Sequence, residues 1–145
     1  MVSMKTLLTI ILAGLIFGIS AAIAPVAWAN TEIPLTRIAY QDCPADVAEG
    51  SVLSGSNEPA NCFLVTGIAT NKTGKTVYDA DVFGRIYDAN GEPAMQNRTR
   101  LGAIAEIPPG VSEFAIRISV PANQPTPLQL EQFRARGFTG KVRQF

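Results

Sequence analysis

The sequence predicts an all-β fold, a single antiparallel β-sandwich of about seven strands. Three observations predict it. Apolar and polar residues alternate with period 2 through residues 76–88, the mark of a half-buried strand. Turn chemistry separates the apolar runs, at Asn71-Lys72-Thr73-Gly74, Asp88-Ala89-Asn90-Gly91 and Pro108-Pro109-Gly110, as short antiparallel strands require. No stretch beyond residue 29 carries the period of an amphipathic helix.

The chain has 145 residues, and residues 1–29 read as a leader. Lys5 supplies a basic start, residues 6–24 are uncharged and mostly apolar, and Pro25 and Ala27-Trp28-Ala29 close the segment. That order is a secretory signal peptide with cleavage after Ala29. The competing reading is an uncleaved membrane anchor, because such a run can just span a bilayer. Gly14, Gly18, Ser20, Ala21, Ala22 and Ala24 make it a weak anchor. No cysteine stands at the cleavage point, which argues against a bacterial lipoprotein. Residues 30–145 then form one domain, long enough for a core and too short for two.

Residues 33–40 are the first candidate strand. Residues 42–61 are a loop by composition, rich in Pro, Gly and Ser. The two cysteines, Cys43 and Cys62, bracket it 19 positions apart. In an exported chain an even pair predicts a disulfide, and closing such a loop contributes about 3 kcal/mol on the chain-entropy model. A redox pair is the alternative, but redox pairs usually sit closer, as Cys-x-x-Cys. Residues 62–70 follow as a strand, with Phe63, Val65 and Ala69 on one parity.

In residues 76–88 the expected inward set is Tyr78, Ala80, Val82, Gly84 and Ile86. The expected outward set is Asp79, Asp81, Phe83, Arg85 and Tyr87. Residues 93–107 return, with Leu101, Ala103, Ala105 and Ile107 aligned. Residues 111–120 align Phe114, Ile116, Ile118 and Val120 against Ala115, Arg117 and Ser119. A proline-rich linker, 121–127, precedes the strand candidates 128–138 and 141–145.

The middle of the chain runs Val65-Thr66-Gly67-Ile68-Ala69-Thr70, then Ile86-Tyr87-Asp88-Ala89-Asn90-Gly91, then Ile107-Pro108-Pro109-Gly110 and Phe114-Ala115-Ile116. Over roughly residues 63–120 it resembles the FxLYD-type domain of exported bacterial proteins. Ile86 stands where that pattern has Leu, and Gly84 where it has Phe, with Phe83 one place early. The resemblance implies an immunoglobulin-like sandwich in an extracytoplasmic setting such as the periplasm, and no catalytic residue.

Composition excludes much chemistry. Lys and Arg number 12, Asp and Glu 12, and His none. Without Lys5 the formal charge is −1, which argues against nucleic acid held by bulk charge. The lack of histidine removes His-based triads and most zinc sites, and there is no Gly-x-Ser-x-Gly elbow. Scattered Asp and Glu read first as solvated surface; paired carboxylates of glycoside chemistry stay an open reading. No cofactor and no enzymatic role are expected.

Asp79, Asp81, Asp88, Asn90 and Glu92 form the densest acidic group. They do not complete a calcium loop, since Phe83 and Asn90 fall at ligand positions. Phe83, Arg85 and Tyr87 share one parity and form a candidate partner-binding strip, because aromatics and Arg concentrate at interface centres. The alternative is packing under a loop or a second sheet. Arg134, Arg136, Lys141 and Arg143 follow the last acid, Glu131, and interleave with Phe133, Phe138 and Phe145. They read either as a charged edge strand or as a docking surface for an acidic protein or anionic lipid. Asn71-Lys72-Thr73 and Asn97-Arg98-Thr99 fit the glycosylation sequon, which matters only in a eukaryote.

The expected function is a non-enzymatic accessory or assembly factor that binds another extracytoplasmic or membrane protein through Phe83, Arg85, Tyr87, Arg134 and Arg136. Peripheral membrane contact would involve the basic C-terminal segment. The alternative is a small exported ligand- or cation-binding protein. The intact mass of exported material is expected to match a chain that begins at Asn30 and lacks the two thiol hydrogens of Cys43 and Cys62. A mass retaining the leader would establish the anchor instead.

Overall fold

The structure, a computed structural model, describes residues 30–95 and 99–141. The leader, Asn97 and Arg98 of the second sequon, and residues 142–145 with Arg143 and Phe145 lie outside the described residues. The elements are β1 (Asn30–Asp42), the single helical turn α1 (Ala45–Ala48), β2 (Ala60–Asn71), β3 (Val77–Tyr87), β4 (Arg100–Ile107), β5 (Gly110–Pro121) and β6 (Gln129–Phe138).

The fold is all-β, and every ladder is antiparallel. The described residues hold six strands, where about seven were expected. They form one hydrogen-bonded order, β4-β3-β6-β1-β2-β5, nearly a barrel. β1 makes this possible by serving both halves: residues 30–34 pair with β6 and residues 35–42 with β2. β4 and β5 end the order yet lie side by side. A Cβ placed on Gly102 would stand 3.3 Å from Ile116 Cβ, so glycine lets the two edges approach.

Local pattern explains most strands. On β2, Phe63, Val65 and Ala69 are buried; on β5, so are Phe114, Ile116, Ile118 and Val120. Those faces meet Ile33, Val77, Val82 and Ile107 in one apolar core. Burial of apolar area is the main stabilising term.

Three residues of left-handed backbone interrupt the alternation: Arg37 (φ 52), Asp79 (φ 48) and Gln132 (φ 54). Such bulges bend a strand and re-aim its side chains. On β1 the inward set changes from Ile33 and Leu35 to Ile38 and Tyr40 across Arg37. On β3, Asp79 puts Val77 in the core and Tyr78 at the half-buried surface, correcting the inward placement expected for Tyr78. β4 is shorter than expected. Pro93 makes only an isolated bridge to Tyr87. Leu101 and Ile107 are buried but Ala103 and Ala105 are exposed, with half-buried Ile104 opposite Ala80. The expected single parity fails there at two places: the ladder shifts between Val82 and Phe83, beside Leu101, and the left-handed Asp79 interrupts the facing strand between Ile104 and Ile107.

The cysteine loop has more structure than its composition suggests. Besides α1, it contains a Val52–Pro59 bridge. The Cys43–Cys62 disulfide closes it, reinforced by a 3.1 Å bond from Cys43 N to Cys62 O. At the far end of the linker, Leu128 N donates to Tyr40 Oη at 2.9 Å, and the Tyr40 ring meets Phe63 edge-on.

Asn71 is buried at the end of the roll where β2, β3, β4 and β5 converge. Its Nδ2 donates to Lys75 O and Ile107 O, both at 2.9 Å. Its Oδ1 accepts from Thr73 N at 2.9 Å and Thr73 Oγ1 at 2.7 Å. The first sequon is thus occupied by internal bonds in the folded chain. Asn71→Ala would remove the side-chain donor from the buried Ile107 carbonyl and is expected to cost about 2 kcal/mol, read by urea denaturation. Asn71→Asp, which keeps the acceptor but loses both donors, should also destabilise.

Candidate functional site

β3 and β6 are distant in sequence but adjacent in the sheet. Their register sets Phe83 opposite Arg134, Asp81 opposite Arg136, Arg85 opposite Glu131 and Tyr87 opposite Gln129. Residues opposite one another in an antiparallel ladder share a face. The five expected partner-binding residues, Phe83, Arg85, Tyr87, Arg134 and Arg136, therefore stand together on the outside of one half of the roll.

Their surroundings are partly satisfied within the chain. The Arg134 guanidinium lies 5.8 Å from the Phe83 ring centroid, a cation–π distance. Phe83 and Tyr87 are half-buried, while Arg85, Arg134 and Arg136 are exposed. Arg136 Nη2 approaches Glu32 Oε2 at 3.3 Å on β1. Arg100 reaches Asp81 through Nη2 at 2.6 Å and Nε at 2.7 Å. That hydrogen bond and charge raise the Arg100 pKa above its ordinary value, so the guanidinium stays charged at any physiological pH. Lys141 lies 5.1 Å over the Tyr78 ring and 3.7 Å from Glu106. The face is a ribbon of rings and paired charges, and such exposed pairs contribute little each to stability.

A hollow of about 90 Å³ opens beside Phe83, Gly84, Gln132 and Arg134, where the Gln132 bulge lifts β6. Behind it, a Cβ on Gly84 would come within 2.8 Å of the Phe133 ring. Phe133 thus fills from β6 the space that a larger residue 84 would occupy.

The acidic group of the sequence is dispersed by the fold. Asp81 is held by Arg100, and Asp88 is buried in its turn, its Oδ1 accepting from Asn90 N at 2.8 Å and Glu92 N at 2.9 Å. Among the described residues no cluster of three or more His, Cys, Asp or Glu is placed to hold a metal ion.

Sequence reasoning missed a second concavity. A cleft of about 580 Å³ lies on the other half of the roll, lined by Arg37, Thr66, Gly67, Ile68, Glu113 and Phe114. It opens where β1 bulges away from β2 between Thr36 and Ala39. The available signal was Gly67 within an otherwise alternating strand, which marks a bulge or a close approach. A Cβ there would meet Ile38 Cδ1 at 2.8 Å, Phe114 Cε1 at 2.9 Å and Thr36 O at 3.0 Å.

Compared with known proteins, the chain matches no family model, no curated protein and no solved structure. The site is therefore argued from its own residues. A double-mutant cycle on Phe83→Ala and Arg134→Ala is expected to give a coupling of about 0.5 kcal/mol, that of an exposed cation–π pair. A coupling of zero would mean that the guanidinium and the ring are neighbours without interaction.

Proposed function

We propose that this chain is an exported, non-enzymatic interaction module, an accessory or assembly factor that docks on another extracytoplasmic or membrane protein. The observation that carries the reading is the β3–β6 pairing, which gathers Phe83, Arg85, Tyr87, Arg134 and Arg136 on one outer face. Arg and aromatic side chains with half-buried rings are the usual anchors of an interface. The Cys43–Cys62 disulfide fits an oxidising compartment.

The same proposal covers the family. An FxLYD-type, immunoglobulin-like module accommodates the close of β3 at Tyr87 and the turn that Asp88 organises. A sandwich reading treats the two halves that share β1 as facing sheets. The second reading, a small ligand-binding protein, is favoured by the Arg37–Glu113 cleft.

The test is a native pull-down of the C-terminally tagged chain, expressed from its own leader in its own host. A stoichiometric partner is expected. It should be lost at high salt and on Arg134→Glu with Arg136→Glu, while the circular dichroism of the double variant stays unchanged. Phe83→Ala should weaken the complex by about 2 kcal/mol if the ring is an anchor. Recovery of a partner-free monomer would overturn the reading.

A further inference from the structure

Arg37 lies at φ 52, at the point where β1 passes from β6 to β2. A side chain in this region is costly, and glycine or asparagine is the usual occupant. Strain of this kind gathers at functional positions. Here the strained residue lines the cleft of about 580 Å³.

Glu113 lines the same cleft from β5. Thr36 stands opposite Ile68, and Ile68 opposite Glu113, so the cleft crosses three strands. At ordinary strand spacing the two charge-bearing backbones are about 10 Å apart. Among the described residues neither Arg37 nor Glu113 makes an ion pair or a side-chain hydrogen bond. Several other outward cations are engaged within the chain. Arg100, Arg136 and Lys141 each meet a carboxylate, Arg117 meets Ser51 Oγ, and Arg134 covers a ring.

We propose that the Arg37–Glu113 cleft binds a small zwitterion, an amino acid or short peptide whose carboxylate meets Arg37 and whose ammonium meets Glu113. Opposite charges on the two walls decide the class. A simple anion would be repelled by Glu113 and a simple cation by Arg37, whereas one molecule carrying both charges satisfies both walls. The floor of Gly67, Ile68 and Phe114 suits an apolar side chain. The volume of about 580 Å³ lies within the ordinary range for small-molecule sites. The site stands apart from the β3–β6 face, so either proposal can fail without the other.

The test is calorimetric titration of the purified, disulfide-intact protein with three probes: free L-leucine, the dipeptide leucyl-leucine, and that dipeptide acetylated and amidated. At least one zwitterion should bind, and whichever binds more tightly assigns the source to free amino acids or to peptides. The blocked dipeptide should bind at least about tenfold more weakly, the effect of losing one charge-assisted hydrogen bond. Arg37→Gly suits the left-handed backbone and should fold normally while losing at least about tenfold in affinity. Glu113→Gln, on an exposed site, should do the same. The proposal is overturned if neither zwitterion binds, if the blocked dipeptide binds equally well, or if either folded variant retains full affinity.

Discussion

One buried amide ties together the end of the roll on which the apolar core closes. Asn71 uses both N–H groups and both lone pairs of its side chain, all on partners at one end of the roll. A buried amide is stable only when its hydrogen bonds are made. Satisfying Asn71 requires the end of β2, the short crossover through Thr73 and Lys75, and the end of β4 to meet at one point. That meeting carries the chain across the end of the roll after β2. β3 lies beside β4 and β6 rather than folding back on β2. The outer face that holds Phe83 and Arg134 exists because β3 and β6 are neighbours.

Curvature has a separate cause. A six-stranded antiparallel sheet rolls up only if its strands bend, and the left-handed residues Arg37, Asp79 and Gln132 sit on three adjacent inner strands, β1, β3 and β6. Each inserts a step into the period-2 pattern and turns the strand. Glycine allows the closest approaches: Gly102 beneath Ile116, and Gly137, where a Cβ would come within 2.7 Å of Tyr78 O. Two of the bulge residues also line concavities, Arg37 the larger cleft and Gln132 the hollow beside Phe83. The devices that curve the sheet are thus the same ones that make its surface concave.

The two halves of the surface have opposite chemistry. On the β3–β6 side, Arg100 and Arg136 are paired with carboxylates and the Phe83 and Tyr78 rings lie beneath cations, so a partner would exchange some of its contacts rather than create them all. On the β1-β2-β5 side, Arg37 and Glu113 flank apolar ground without partners among the described residues. A paired ribbon suits a broad macromolecular contact, where polar groups are replaced at the rim. An unpaired charge couple over a small floor suits a compact ligand.

The sequence by itself determined the all-β class, the cores of β2, β3 and β5, the Asp88 turn and the pairing of Cys43 with Cys62. Each is legible because it is local or forced. Alternation reports which face of a strand is buried, Asp and Asn before Gly report a turn, and two cysteines allow a single bridge. Tertiary structure decided the strand order, the six-strand roll, the parity changes at Arg37 and Asp79, and the cleft. These depend on which distant strands pair and in what register, and no short window of sequence contains that information. Asn71 shows the boundary most clearly. Its turn could be read from Asn-Lys-Thr-Gly, but its bond to Ile107 O spans 36 positions, and only the folded chain brings that carbonyl within reach.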